Sequence, residues 1–281
     1  MHSSQVAIVT DSTSDIPENK KEQLMIEVVP AIVIMDGKSY RDGLDISRSD
    51  FYERLPNLKT PASTGAPSPL LFKNAYQKLL DSGAEEIVSI HLPDKLSGMI
   101  NVAKQAAMEF GDRIHVIESG QLSLGTGFQV MEAAQAAQSG ASVQEVLRIA
   151  SWTRKNVRLI ALVNNLTALK RSGRISWLSA GVGDFLQVKL LVEVADGVVN
   201  RIGQVRTRAK AMQQLESIAK AWGPLSRLAV PHSSIPEVAQ AFAEQLNHLC
   251  RIPAIIMDVT TAIGAHIGTG AIGIIGLLEK D

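Results

Sequence analysis

Three short segments place a hydroxyl or an imidazole group beside glycine or alanine, and these groups could act together. The segments are Ser63-Thr64-Gly65, Leu96-Ser97-Gly98 and Ala265-His266. Small residues let a ligand come close to the backbone, and neutral donors that converge on one point suit a carboxylate. We therefore predict that Thr64, Ser97 and His266, each in a loop or at the end of a strand, bind a carboxylate.

The stretch from Glu86 to Phe110 puts Ser97 between a strand and a helix. The apolar run from Ile87 to Leu92 has the length of a buried strand, and the residues after Gly98 have the apolar spacing of an amphipathic helix. Ser97 is placed as the N-cap of this helix, so free N–H groups and the positive end of the helix dipole could face an anion. The alternative is that Ser97 only caps its own helix.

A second interpretation is a serine hydrolase that acts on acyl esters. It would use Ser97 as the nucleophile and His266 as the base, with Asp11 or Asp258 orienting the imidazole. Ser97 is not in a GxSxG elbow, because Lys95 stands where the first glycine should be. This departure argues against the hydrolase.

Other motifs argue against nucleotide and metal sites. The segment from Gly268 to Gly273 matches GxGxxG, but only eight residues follow it. A dinucleotide site needs a helix, a second strand and an acidic residue after its glycines. The six histidines show no HExxH spacing and no pairing with cysteine, so we expect neither a metal nor a cofactor.

The composition indicates a globular protein of the cytoplasm. The chain is 46% hydrophobic and carries 28 basic and 28 acidic residues, so no net charge attracts it to nucleic acid. No DNA-recognition motif supports a regulator either. The single cysteine, Cys250, excludes an internal disulfide framework. The N-terminus lacks a secretory pattern and no apolar run could span a bilayer, so we expect a soluble cytoplasmic protein.

The pattern of strands and helices changes near the middle of the chain. Strands alternate with helices up to residue 156, which predicts a mostly parallel sheet with helices on both faces. Beyond Val157, the Asp196-Gly197 turn between two apolar runs predicts an antiparallel hairpin and a mixed sheet. We predict two α/β domains, residues 1–156 and 157–281, with a ligand tunnel between or beside them.

A set of motifs spread along the chain carries a resemblance to a known family. They are Val9-Thr10-Asp11-Ser12-Thr13-Ser14-Asp15-Ile16-Pro17, Asp36-Gly37 with Tyr40 and Asp42-Gly43, Thr64-Gly65-Ala66-Pro67-Ser68-Pro69, Ser89-Ile90-His91 with Leu96-Ser97-Gly98, Leu169-Lys170-Arg171-Ser172-Gly173-Arg174-Ile175-Ser176, Asp196-Gly197 with Val205-Arg206, and His266-Ile267-Gly268-Thr269-Gly270. Almost end to end, the chain resembles the DegV family of fatty-acid-binding proteins. These include the bacterial carriers of the fatty acid kinase system, known as FakB proteins.

The resemblance implies a lipid-binding carrier, not an enzyme. Thr64 and Ser97 would hydrogen-bond the carboxylate of a long-chain fatty acid, with His266 in the same polar end and the acyl chain in an apolar tunnel. A basic patch around Arg174 and Arg206 would dock a partner fatty acid kinase, a protein related to dihydroxyacetone kinases, which forms an acyl phosphate for phospholipid synthesis. Such a role requires no nucleic acid and is compatible with transient contact with a membrane.

Some positions depart from the family pattern. Gly65 stands where serine is usual, Met99 where threonine is usual, Ser172 where glycine is usual and Thr269 where proline is usual, so we expect an altered pocket. No arginine lies near Thr64, Ser97 or His266 in the sequence. We therefore expect neutral donors without a bidentate arginine, which would leave a carboxylate oxygen free to attack the γ-phosphate of ATP.

Overall fold

A computed structural model describes residues 5–164, 166–175 and 188–280, with Leu166 described by its backbone alone. Ser176, the last residue of the basic motif named above, lies outside the described residues. The elements of the first half are β1 (Val6–Asp11), α1 (Glu18–Gln23), β2 (Glu27–Val29), β3 (Ile32–Met35), β4 (Lys38–Arg41), α2 (Arg48–Arg54), β5 (Ser63–Gly65), α3 (Pro69–Asp81), β6 (Glu86–His91), α4 (Met99–Ala107), β7 (Ile114–Glu118), α5 (Leu124–Gln138) and α6 (Val143–Asn156).

The first half forms a parallel sheet with strand order β2-β1-β6-β7. Its central strands are apolar on both faces because helices cover both. Ile87 packs with Phe72 of α3 and the alanines of α4, whereas Val88 packs with Phe128 of α5 on the opposite face. The predicted parallel sheet is confirmed.

A smaller antiparallel sheet, β4-β3-β5, lies beside the parallel one. The turn of its hairpin lies at Asp36 and Gly37, whose φ angles are 46° and 79°. A tight hairpin turn requires positive φ angles, and Asp followed by Gly adopts them readily. Strand β5 pairs with β3 so that Thr64 lies opposite Val33. The antiparallel pairing thus fixes the position of Thr64.

The second half forms a mixed six-stranded sheet in the order β10-β9-β8-β13-β11-β12. Among the strand pairs of this sheet that the structure describes, β11–β12 is parallel and the others are antiparallel. The predicted hairpin at Asp196 and Gly197 is confirmed between β9 and β10. The elements are β8 (Val157–Val163), α7 (Leu166–Ser172), β9 (Lys189–Ala195), β10 (Val198–Val205), α8 (Arg208–Lys220), β11 (Leu225–His232), α9 (Pro236–Leu246), β12 (Ile255–Asp258), α10 (Thr261–Ile267) and β13 (Ile272–Leu278).

The two faces of the mixed sheet have different neighbours. Ile160 and Leu162 of β8 pack with Leu215 of α8 and Phe242 of α9. Leu159, on the opposite face, belongs to a cluster that includes residues of β1, β6, α5 and α6. The predicted two-domain α/β fold is therefore confirmed, while the division at residues 156 and 157 stays a prediction.

Within the described ranges, no helix is long and apolar enough to cross a bilayer.

A cluster of buried carboxylates ties α10 to the N-terminal domain. Asp42 accepts hydrogen bonds from the hydroxyls of Thr260 and Thr261, each at 2.7 Å. Asp15 accepts the Thr260 N–H at 2.8 Å and lies 3.1 Å from the Arg48 guanidinium. Because a buried carboxylate left unpaired is strongly destabilising, these bonds constrain where α10 begins. We call Asp15, Asp42, Arg48, Thr260 and Thr261 the carboxylate clasp.

Helix α10 also packs closely against α2. The hydroxyl of Tyr52 donates to the backbone carbonyl of Val259 at 3.1 Å. A Cβ atom on Gly264 would lie 2.6 Å from the Tyr52 oxygen and 2.8 Å from a ring carbon of Phe51. Glycine at this position therefore permits the close approach of the two helices.

Gly264→Ala should destabilise the protein, because the added methyl group overlaps Tyr52 and Phe51. We expect a loss of ~1–3 kcal/mol in the free energy of unfolding, as for other overpacked cores, measured by urea denaturation. Gly98→Ala is the matched control, since nothing lies within 4 Å of its added Cβ. An equal effect of both substitutions would contradict the close packing of α10 on α2.

Candidate functional site

Thr64 and His266 meet directly although they are 202 residues apart in the sequence. The Thr64 hydroxyl oxygen lies 2.9 Å from Nε2 of His266, within hydrogen-bonding distance, and both side chains are half-buried. Strand β5 presents Thr64 and helix α10 presents His266. The expectation that His266 lies in a loop or at a strand end is wrong. The small residues around it form a short helix because Thr260 caps the N–H of Ala262 at 3.0 Å.

Ser97 lies in the loop between β6 and α4 and lines the same cavity as Thr64 and His266. The helix begins one residue later than predicted, with Gly98 at its N-cap. Ser97 still satisfies the first turn, because its hydroxyl oxygen accepts the Met99 N–H at 3.3 Å. The three residues predicted to form the carboxylate site thus border one cavity, and their binding role stays a prediction.

Burial keeps the imidazole of His266 neutral. The pKa of His266 is lowered from 6.5 to about 4, chiefly because burial disfavours the charged ring and secondarily because the positive charge of Arg174 lies near it. The neutral ring has one nitrogen that donates and one that accepts. His266 therefore offers a neutral hydrogen-bonding group, not a cation, to a ligand at neutral pH.

Arg174 lines the cavity together with these residues although it is distant from them in the sequence, and the expectation that no arginine binds the carboxylate in a bidentate manner stays a prediction. Its Nε donates to the Leu96 carbonyl at 3.4 Å and its Nη1 donates to the Ser172 carbonyl at 2.5 Å. The fold brings Arg174, just after α7, against the loop that contains Ser97, a proximity that local sequence spacing does not reveal. Arg174 therefore contributes a positive charge near His266, and two backbone carbonyls already accept hydrogen bonds from its guanidinium.

The cavity wall is mainly aliphatic and combines both domains. It encloses about 1200 Å³ that is free of protein atoms, part of it open to solvent. Its apolar side chains include Leu92, Leu96, Met99, Leu122, Leu159, Ala161, Val163, Val192, Val194, Val199, Ile263 and Ile267.

Several polar side chains in the wall already have a carboxylate as their partner. The Ser123 hydroxyl donates to Asp15 at 2.6 Å, and the Thr13 hydroxyl donates to Asp11. His232 lies 3.0 Å from Asp258. Because these groups already have partners, they add little polarity to the surface that faces a ligand. Sequence reasoning missed the bonds of Ser123 and His232, since their partners are distant in the sequence.

The triad considered for a hydrolase is not assembled. Asp11 lies 2.7 Å from Nδ1 of His91 in a fully buried pair, and Asp258 pairs with His232. Within the described ranges, no carboxylate forms an ion pair with His266. The assignment of Asp11 or Asp258 as the orienting acid of His266 is therefore wrong. In the same ranges, no group of three or more His, Cys, Asp or Glu residues could hold a metal ion.

Arg206 is exposed in the bend between β10 and α8 and is not among the residues that line the cavity. Its assignment to partner docking stays a prediction, as does that of Arg174. Of the departures from the family pattern, Gly65, Met99 and Ser172 line the cavity. These three positions can therefore alter the shape of the ligand space.

Comparison with known proteins gives matches over nearly the whole chain. The model of a family described as DegV, uncharacterised proteins, matches residues 5–279. A DegV domain-containing protein of Streptomyces coelicolor is 34% identical over 276 residues, which cover 96% of this chain and 97% of the relative. A DegV domain-containing protein of Mycobacterium tuberculosis is 33% identical, covering 96% of each.

Solved structures give the same match. A DegV family protein from Thermus thermophilus, described by its fatty acid binding, has a TM-score of 0.89 and 28% identity, covering 98% of this chain and 99% of that one. DegV from Bacillus subtilis, described as a fatty acid binding protein, has a TM-score of 0.85 and 29% identity. The match again covers 98% of this chain and 99% of the other chain. The chain thus shares its fold with two proteins that are described as binding fatty acids.

The pKa of His266 should be near 4 in an NMR titration of its imidazole. In Arg174→Gln it should rise but stay below 6.5, because burial is the larger cause. Between about pH 4 and 6.5 the unfolded chain binds a proton at His266 more readily than the folded chain does, so the contribution of His266 to stability should fall as the pH drops through that window, whereas the contribution of Asp15, whose pKa is raised to about 6, should rise. Arg251→Gln, which removes an exposed charge elsewhere, is the control. A wild-type pKa of about 6.5 would contradict the burial of His266.

Proposed function

The chain belongs to the DegV family, and on this premise we propose that it carries a long-chain fatty acid for a partner kinase. Its carboxylate is held by Thr64, Ser97 and His266, and its tail lies in the apolar cavity. The observation that carries the proposal is that the half-buried hydroxyls of Thr64 and Ser97 line one largely aliphatic cavity together with the neutral imidazole of His266.

Both hydroxyls are poised to donate to an anion. The Ser97 oxygen already accepts the Met99 N–H, so its own proton is free for a ligand. If the proton of the His266 ring is on Nε2, the ring donates to the Thr64 oxygen, and the Thr64 proton is free in the same way. A hydroxyl that accepts one hydrogen bond becomes a better donor in the next. Two polarised hydroxyls can therefore bind the two oxygens of one carboxylate.

The tail supplies most of the affinity. Burying about 15 methylenes at ~0.8 kcal/mol each contributes roughly 12 kcal/mol, comparable with association and ordering costs of ~4–15 kcal/mol. Each hydrogen bond to the charged head contributes only ~1.5–3 kcal/mol. The polar groups therefore fix which end of the lipid faces the cavity mouth. The positive charge of Arg174 adds long-range attraction for the head.

In this proposal the protein presents the fatty acid and does not transform it. A carboxylate oxygen forms a bond to the γ-phosphorus of ATP on the kinase, the bond from that phosphorus to the bridging oxygen breaks, and ADP leaves, giving an acyl phosphate. Arg174 and the exposed Arg206 supply positive charge for docking of the kinase. The carrier would work in the cytoplasm, with transient contact at the membrane where it collects or delivers lipid.

Replacing the hydroxyls should weaken binding of the acid but not of its ester. Thr64→Val and Ser97→Ala should each lower the affinity for palmitate about tenfold, because each removes one bond to a charged oxygen. Palmitate methyl ester, which lacks the charge, should bind wild type and variants alike in isothermal titration calorimetry. Ala161→Phe, which fills the apolar cavity, should weaken both. Equal losses for acid and ester in the hydroxyl variants would contradict the carboxylate assignment.

Charge reversal at Arg206 should separate lipid binding from kinase coupling. Arg206→Glu should leave palmitate affinity unchanged, because its side chain is exposed and outside the cavity wall. Acyl phosphate formation with the partner kinase should fall at least about tenfold, since reversal of a charge at an interface adds repulsion. Arg251→Glu is the matched control on a different exposed surface. Coupling equal to wild type in Arg206→Glu would remove the docking role.

A further inference from the structure

The chain has two Asp-Gly hairpin turns with a similar backbone and different surroundings. The φ angles are 46° and 79° at Asp36 and Gly37, and 48° and 75° at Asp196 and Gly197. A Cβ atom added to Gly37 would meet no atom of the described residues within 4 Å, whereas one added to Gly197 would lie 2.7 Å from Cβ and 3.0 Å from Cγ of Pro93. The first turn therefore requires glycine for its backbone, and the second turn also requires it for a close contact.

The tip of the β9–β10 hairpin rests on the N-terminal domain. The Gly197 N–H donates to the Gly120 carbonyl at 2.8 Å, and Gln121 Nε2 donates to the Val194 carbonyl at 3.0 Å. Gly120 and Gln121 lie in the loop between β7 and α5. These two bonds, together with the contact on Pro93, fix the position of the tip relative to the N-terminal domain.

Pro93 begins the turn that carries Ser97. Its carbonyl accepts the N–H groups of Leu96 at 3.0 Å and of Ser97 at 3.1 Å. We call residues 93–97 the Ser97 turn. Arg174 binds near the other end of this turn, because its Nε donates to the Leu96 carbonyl. A segment of the first half of the chain that carries a proposed carboxylate donor is therefore held near both its ends by residues of the second half.

The hairpin also forms part of the cavity wall. Val194 and Val199, on either side of its tip, line the cavity, and so do Leu96 and Ser97. A displacement of the tip relative to the Ser97 turn would change the position of the Ser97 hydroxyl in the cavity. A hydrogen bond between oxygens needs a separation of about 2.5–3.0 Å, whereas the hydrophobic effect is not directional. Such a displacement would therefore weaken binding of a carboxylate head more than burial of a tail.

We propose that the tip of the β9–β10 hairpin positions the Ser97 hydroxyl for the carboxylate, with Gly197 permitting the close contact with Pro93. This inference rests on the proposed function. Neither Gly197 nor Pro93 is among the described residues that line the cavity, so both act through the Ser97 turn and are positioning residues. The second Asp-Gly turn thus has a role that the first turn, with the same two residue types, does not have.

The first test compares the two glycines in isothermal titration calorimetry with palmitate and palmitate methyl ester. Gly197→Ala should lower the affinity for palmitate about tenfold, because the displaced turn loses one bond to a charged oxygen. Its affinity for the ester should stay within about twofold of wild type, since burial of the tail is not directional. Gly37→Ala, the same substitution at a similar φ angle, should bind both ligands like wild type. Equal losses for acid and ester in Gly197→Ala, unchanged binding of both, or the same loss of palmitate affinity in Gly37→Ala would overturn the proposal.

The second test removes the overlap from the other side. Pro93→Gly deletes the ring that Gly197 contacts, so it should by itself weaken palmitate binding more than ester binding, and it tests the proposal even if Gly197→Ala does not fold. In the double variant the added methyl group has room, so palmitate should bind about fivefold more tightly than to Gly197→Ala. Pro93→Gly combined with Gly37→Ala is the control and should show no coupling. Additive effects of Pro93→Gly and Gly197→Ala would contradict the contact as the cause.

Amide resonances of the free protein separate this inference from the proposed function. In ¹H–¹⁵N NMR spectra, Gly197→Ala should shift the amides of Leu96 and Ser97, whose N–H groups donate to Pro93, and Gly37→Ala should leave them unchanged. Wild type that binds palmitate, with these amides unmoved in Gly197→Ala, would overturn only the positioning role. Shifted amides in a protein that does not bind palmitate would overturn the carrier function instead.

Discussion

The carboxylate clasp is the interaction on which the site depends. Asp42 binds two adjacent threonines at the start of α10, and Asp15 binds the backbone of the first of them. Burial raises the pKa of Asp15 to about 6, although Arg48 beside it opposes the shift. The clasp therefore contains a carboxylate that is costly to bury and is stabilised by fixed donors. It holds the C-terminal segment against the N-terminal domain and sets where His266 meets Thr64.

The cavity follows from the same arrangement. Once α10 is fixed, one face of the mixed sheet lies opposite the N-terminal domain, and its aliphatic residues line the cavity. Inward hydroxyls such as Ser123 are already bonded to buried carboxylates. Polarity is therefore concentrated where Thr64, Ser97 and His266 lie, with the charge of Arg174 nearby. A lipid with one polar end fits this distribution of groups.

The sequence predicted the architecture well because local signals determine it. Ser68 and Pro69 begin α3, and the Asp-Gly turns form both hairpins, as their residue types indicate. Predictions were wrong or incomplete where distant segments meet. The helical state of His266 depends on a cap at Thr260, and the approach of Arg174 to Leu96 joins positions 78 residues apart. Spacing along the chain carries no information on such contacts. Thr64, Ser97 and His266 were grouped because each is a short donor among small residues, and the motif resemblance supported the same grouping.

The central claim is that one intact fatty acid occupies the cavity with its acid group at the hydroxyls. Native mass spectrometry of the purified protein, after incubation with a mixture of long-chain fatty acids, tests it most directly. The account predicts a complex of one chain with one unmodified fatty acid, which denaturation releases unchanged. Unliganded protein alone, or a covalent acyl group on Ser97, would contradict it.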